Sequence, residues 1–167
     1  MTIALARQTP FGGAQTFGST FGSSSAAEYV FKQVAEGWAQ LRKSNSLGAG
    51  IEAAAEELRG VTEECSSTGW DGYGAAAIEQ ETIRQAEHFL NALPLGMIAP
   101  SVGAESDGHI TFEWYQSPRR IVSVSISPEG DLHYAALFGH SKTYGTEPFF
   151  GEIPSDVLKL ARRVVSE

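Results

Sequence analysis

Between Ile110 and Phe138, apolar residues fall at every second position in three successive runs: Ile110, Phe112 and Trp114, then Val122, Val124 and Ile126, then Leu132, Tyr134, Ala136 and Phe138. A period of two puts one set of side chains on one face of a pleated strand, so the runs predict three strands with one buried and one solvated face. Ser117-Pro118-Arg119-Arg120 and Pro128-Glu129-Gly130-Asp131 separate them. These are turn residues, and Gly130 suits a hairpin, so the strands form an antiparallel meander. Its opposite face carries His109, Thr111, Glu113, Ser123, Ser125 and His133. A short strand over residues 97–102 adds an edge, and the Gly, Thr and Tyr-rich stretch 139–151 reads as a loop.

Elsewhere the apolar period lengthens to three and four residues. Ser25-Ala-Ala-Glu28 has capping-box spacing and opens a helix to about Lys43, with Val30, Val34, Trp38 and Leu41 as its stripe. A second helix, about 50–65, sets Ile51, Ala54, Ala55, Leu58, Val61 and Cys65 against Glu52, Glu56, Glu57, Glu63 and Glu64. The two are expected to pair as a hairpin over 25–66. Trp70-Asp71-Gly72-Tyr73-Gly74 is a turn in which Asp71 folds onto local amides, and a third helix over about 78–93 stops at Pro94. A C-terminal helix starts at Pro154 or Ser155 and turns Val157, Leu160, Ala161, Val164 and Val165 inward, with Arg162 and Arg163 near its end. The fold class is therefore α+β: N-terminal helices, a three- to four-stranded antiparallel meander packed by helices, and a C-terminal helix. Residues 1–24, with Phe11, Phe17 and Phe21 each before a glycine, read as a low-complexity, disordered leader to a single domain over 25–167.

The stretch from Trp70 to Phe138, about two fifths of the chain, resembles a widespread family of small bacterial proteins of unassigned function. The likeness rests on Trp70-Asp71-Gly72-Tyr73, the helix ending in Leu93-Pro94, Pro100, and Asp107-Gly108-His109-Ile110 leading into Glu113-Trp114. It implies a bacterial or phage setting and a common α+β module, and carries no activity onto these positions.

Charge narrows the partners. Twenty acidic against twelve basic residues give a net charge of −8, which opposes direct nucleic-acid binding and favours a basic protein partner. The lone Cys65 forms no internal disulfide and suits the cytoplasm, and no apolar run is long enough for a membrane span.

Candidate chemistry is sparse. His109, Glu113 and His133 share the polar face and have the residue types of a metal site. In a three-strand meander, however, the two histidines stand roughly 9 to 10 Å apart at the backbone. Cys65 sits on an apolar stripe beside Glu63 and Glu64, whose charge raises rather than lowers a thiol pKa, so it reads as a packed thiol and not a nucleophile. Trp70 and Tyr73 serve either as a ligand platform or as a plug between helix and sheet. The loop after Gly139 lacks the spacing of a phosphate loop. Phe149 and Phe150, being adjacent, cannot both face one core.

The reading that follows is a non-enzymatic, acidic protein-interaction module without cofactor, of the kind an antitoxin-like inhibitor or a phage-encoded modulator represents. Its expected binding residues are Glu56, Glu57, Glu63, Glu64, Trp70 and Tyr73, with Phe11, Phe17 and Phe21 as a sticky arm. The alternatives are a small metal-dependent or small-molecule enzyme using His109, Glu113 and His133, and a self-assembling homo-oligomer.

Overall fold

The computed structural model describes residues 29–30, 32–34, 36–37 and 49–165. The chain divides after Ala35. The described residues 29–37 are helical, and Val30 and Val34 are exposed. Trp38, Leu41, the Ser25–Glu28 cap and the leader phenylalanines lie outside the described residues.

From residue 49 the order is α1 (Ala49–Glu64), α2 (Gln80–Ala92), β1 (Ser101–Ala104), β2 (Ile110–Ser117), β3 (Arg120–Ile126), β4 (Asp131–Phe138), β5 (Ser141–Pro148) and α3 (Ser155–Val165). The strands form one sheet in sequence order, β1-β2-β3-β4-β5, every pair antiparallel. The α+β expectation is met with five strands in place of three or four. The fifth comes from the stretch expected to be a loop. Its side chains are mostly exposed, so no apolar alternation marks it, and it is held by main-chain pairing from Asp131↔Pro148 to Phe138↔Ser141. As an edge strand it tolerates Pro148, whose missing N–H would break a central ladder. The first strand begins at Ser101 instead of residue 97.

α1, α2 and α3 all cover the same face. α1 packs on β1 and α2, α2 on β2 and β3, and α3 on β2, β3 and β4. Between the layers Val102, Ile110, Phe112, Trp114, Val122, Val124, Ile126 and Leu132 meet Leu58, Phe89, Leu90, Val157, Ala161 and Val164, all buried. Phe89 stacks on Phe112 with centroids 4.8 Å apart and meets Phe149 edge-on at 5.9 Å. Phe150, by contrast, is 90% exposed, so one ring of the pair faces the core and one does not. Trp114 Nε1 donates to the Ile98 carbonyl at 2.8 Å, which satisfies the indole's polar atom inside the core.

Gly145 is opposite Tyr134 in the β4–β5 ladder, and a Cβ there would lie 2.5 Å from the Tyr134 hydroxyl. The tyrosine lies across the glycine, an aromatic cover for a strand position without a side chain. Gly145→Val is expected to displace Tyr134 and destabilise the domain by about 1–3 kcal/mol, and Phe89→Ala by about 3–5 kcal/mol. Urea unfolding of each variant checks both. An unchanged midpoint for Gly145→Val would show that the ring has another place to go.

Candidate functional site

The sheet face opposite α1, α2 and α3 is ordered by register. One row runs Gly103, Thr111, Ser125, His133, Thr146, and the next Ser101, Glu113, Ser123, Ala135, Tyr144. A third runs Tyr115, Ile121, Leu137, Lys142. Half the face is thus hydroxyl, imidazole and carboxylate, and half is apolar.

The polar half is knitted together by Glu105, just beyond β1. One of its carboxylate oxygens accepts hydrogen bonds from the Thr111 and Ser125 hydroxyls, which are themselves 3.0 Å apart. The β1–β2 turn closes by Glu105 N–H donating to the His109 carbonyl at 2.9 Å. Gly108, at φ +89°, takes the left-handed conformation that this turn needs. Asp107 Oδ1 accepts from the His109 amide at 3.2 Å, and its other oxygen is 3.6 Å from His109 Nδ1. The His109 and His133 rings stack with centroids 5.6 Å apart and planes 3° from parallel. His109 stands in the turn just before β2 and His133 on β4, so the two rings meet across β3, which presents the short Ser125 opposite His133. His133 Nδ1 lies 3.0 Å from Thr146 Oγ1. The Glu129 carboxyl is held below its usual range by its own backbone amide, then the Ser127 hydroxyl, and then the positive potential of the two imidazoles.

As a metal site the triplet His109, Glu113 and His133 does not assemble. Glu113 lies a row away, opposite Ser101 and Ser123. An imidazole lone pair lies in its ring plane, so two nearly parallel rings do not converge on one ion. The structure gathers Glu105, Asp107 and His109 instead, with ligand atoms within 4.8 Å of one another. The sequence signal for the two carboxylates was the Asp107-Gly108 turn, which doubles the chain back and returns Glu105 beside His109. Beside β1, Ser101, Gly103, Glu105, Thr111 and Glu113 border a depression of about 320 Å³.

In the apolar half, Tyr115 is 58% and Tyr144 82% exposed, with Ile121 and Leu137 half-buried between them. These four span β2 to β5 and nothing among the described residues covers them.

The other expected binding residues lie apart from this face. Glu56, Glu57, Glu63 and Glu64 are exposed on α1, Glu56 pairing with Arg59. Trp70 is half-buried and donates its indole N–H to the Ala76 carbonyl at 2.9 Å, which makes it a plug, whereas Tyr73 is 96% exposed. Cys65 is buried, and burial first and Glu64 second push its thiol up, the reverse of what a nucleophile requires. No helix among the described residues is long and apolar enough to cross a membrane. Comparison with protein-family models, curated proteins and solved structures finds no match for the chain.

Asp71 fixes the Trp70 turn, its Oδ1 accepting from the Tyr73 amide at 2.8 Å and the Ala75 amide at 3.0 Å. The Ala75 bond, followed by the Tyr73 bond, holds the carboxyl below its ordinary value. A depressed folded-state pKa contributes stability above the unfolded pKa and loses it as pH falls through the folded value. Asp71→Asn should therefore melt below wild type at neutral pH, and the gap should close as pH falls below about 4. Thermal melts across that range check this, and a gap independent of pH would assign the loss to packing.

Proposed function

We propose that this domain is a non-enzymatic protein-interaction module that binds through the sheet face opposite α1, α2 and α3. The observation that carries the reading is the uncovered band of Tyr115, Ile121, Leu137 and Tyr144, two of them strongly exposed tyrosines. Tyrosine combines large apolar area with a polar tip at low entropic cost, the composition that dominates binding energy at interfaces. Glu113 borders the band, and Glu105, Asp107 and Glu129 lie at the far end of the same face, so the complementary partner segment is apolar where it meets the tyrosines and basic where it reaches that end. The acidic face of α1 offers such a partner a second, electrostatic contact that is felt mainly in the association rate. A cytoplasmic, antitoxin-like inhibitor or phage-encoded modulator in a bacterial host is a protein of this kind.

A second reading has one observation of its own. Glu105, Asp107 and His109 are spaced to hold a divalent ion, and a saturable zinc-induced rise in melting temperature that His109→Ala abolishes would favour it.

The test of the leading reading is recovery of the tagged full-length chain from its host and measurement of its affinity for the co-purifying protein. Tyr115→Ser with Tyr144→Ser is expected to weaken that affinity at least tenfold, about 1.4 kcal/mol or more, while melting at the wild-type temperature. Gln at positions 56, 57, 63 and 64 should slow association and flatten its salt dependence. Unchanged affinity in the tyrosine variant would remove the sheet face from the interaction. A solution mass of several copies, with no second protein, would replace it by self-assembly.

A further inference from the structure

β5 is an open edge of the sheet. It is 8 residues long and mostly exposed, and among the described residues no strand lies beyond it. The opposite edge differs: β1 has 4 residues and α1 packs on it, so closely that a Cβ at Gly50 would lie 3.2 Å from the Ala99 Cβ. An open strand edge carries a row of unpaired N–H and C=O groups on which a further strand can form. Which groups these are follows from the ladder. Phe149 N–H donates to the Gly130 carbonyl at 2.9 Å, one step past the Asp131↔Pro148 pair. Main-chain groups two residues apart on a strand point the same way, so Ser141, Thr143, Gly145 and Glu147 turn theirs to β4, and Lys142, Tyr144, Thr146 and Pro148 turn theirs outward.

Pro148 fits this parity, because its missing N–H would point away from the ladder. Lys142, Tyr144 and Thr146 each leave one donor and one acceptor on the edge, and this row is complementary to itself. A two-fold axis normal to the sheet at Tyr144 sets Tyr144 opposite Tyr144 of the second copy and Lys142 opposite its Thr146, and every outward N–H of these residues then meets an outward C=O. Pro148 falls beyond the ladder, opposite His140. The charged side chains of β5 are Lys142 and Glu147, and they stand opposite Thr146 and Ser141, so no like charges face each other. Moving the axis to Gly145 sets Pro148 opposite Lys142 and loses a donor at each end.

We propose that two copies of this chain pair through β5 in this register and join their sheets into one. With the axis normal to the sheet, α1, α2 and α3 of both copies lie on one side and both opposite faces on the other. The two Tyr144 side chains, 82% exposed in the single chain, meet on that opposite face with Cβ atoms about 5 Å apart, an aromatic cross-strand pair. The Tyr115–Tyr144 band then runs across the seam without a break. Contact through one strand from each copy is small for a specific interface, so the dimer is weak and reversible. The net charge of −8 opposes it only at long range, and charges more than about 8 Å apart are largely screened at physiological ionic strength. Pairing through the β5 edge does not require the band to bind a partner.

The experiment follows the purified, ¹⁵N-labelled full-length chain by sedimentation and amide hydrogen exchange over a range of concentrations. The mass is expected to rise from one copy to two and stop there, while exchange at the Lys142, Tyr144 and Thr146 amides slows by about fivefold or more. The Thr143, Gly145 and Glu147 amides, already bonded to β4, should show no such dependence. Lys142→Pro removes an outward donor from each copy and leaves the β4 ladder whole, so it should weaken the dimer about tenfold and melt with wild type at concentrations where both are monomers. A monomer at every concentration, growth beyond two copies, or a dimer whose outward amides exchange as in the monomer would overturn the proposal. So would slow exchange of those amides at every concentration, which would assign the β5 edge to another segment of the same chain. Recovery from the host separates the two readings: a second protein bound to the dimer keeps both, and a dimer without one removes only partner binding by the sheet face.

Discussion

The stack of Phe89 on Phe112 is the contact on which the rest of the domain depends. A sheet with one apolar face has no stability until that face is covered, and these two fully buried rings join the central helix to the second strand. Phe149 closes against the same ring from the end of β5, so the helix layer, the sheet centre and the last edge strand share one aromatic junction. With α1 and α3 on either side, the three helices from residue 49 onward are committed to the same face. The other face is left to water or to a partner.

That asymmetry sorts the chemistry. The covered face consumes the apolar halves of all three long alternating strands, so the opposite side chains had no packing role to fill and became hydroxyls, imidazoles and carboxylates at one end and tyrosines at the other. Net charge is a poor guide to such a surface. Glu105, Asp107, Glu129, His109 and His133 gather around the β1–β2 and β3–β4 turns, and Arg119 and Arg120 sit at the β2–β3 turn, because alternate turns of a meander fall at opposite ends.

The sequence made legible what is enforced by burial. The three alternating strands, their hairpin pairing, the helices over 49–64 and 80–92 and the terminal helix from Ser155 are all places where an apolar period records a buried face. β5 was illegible for the complementary reason: its stability lies in main-chain bonds to β4, which leave no mark on side-chain pattern. The candidate site was half legible. The polar face of β2 to β4 followed from strand parity, and the buried Cys65 from its stripe. Glu105 and Asp107 were missed because a turn placed them, and the contact between His109 and His133 because it joins that turn to β4 across the intervening strand. The Tyr115–Tyr144 band needed β5, so it could not be read before that strand was known.

The order of the strands in the sheet bears on how the domain acquires its structure. Because spatial order equals chain order, each strand pairs with the one made immediately before it, and no pairing waits for a distant segment. Loop-closure entropy is then small at every step, and the sheet can extend one hairpin at a time as the polypeptide leaves the ribosome. The exception is α3, which reaches back across β4 to β3 and β2. A nascent chain that ends before Ser155 carries a nearly complete sheet with part of its apolar face open, which makes the last helix the step that separates a sticky folding intermediate from a finished protein.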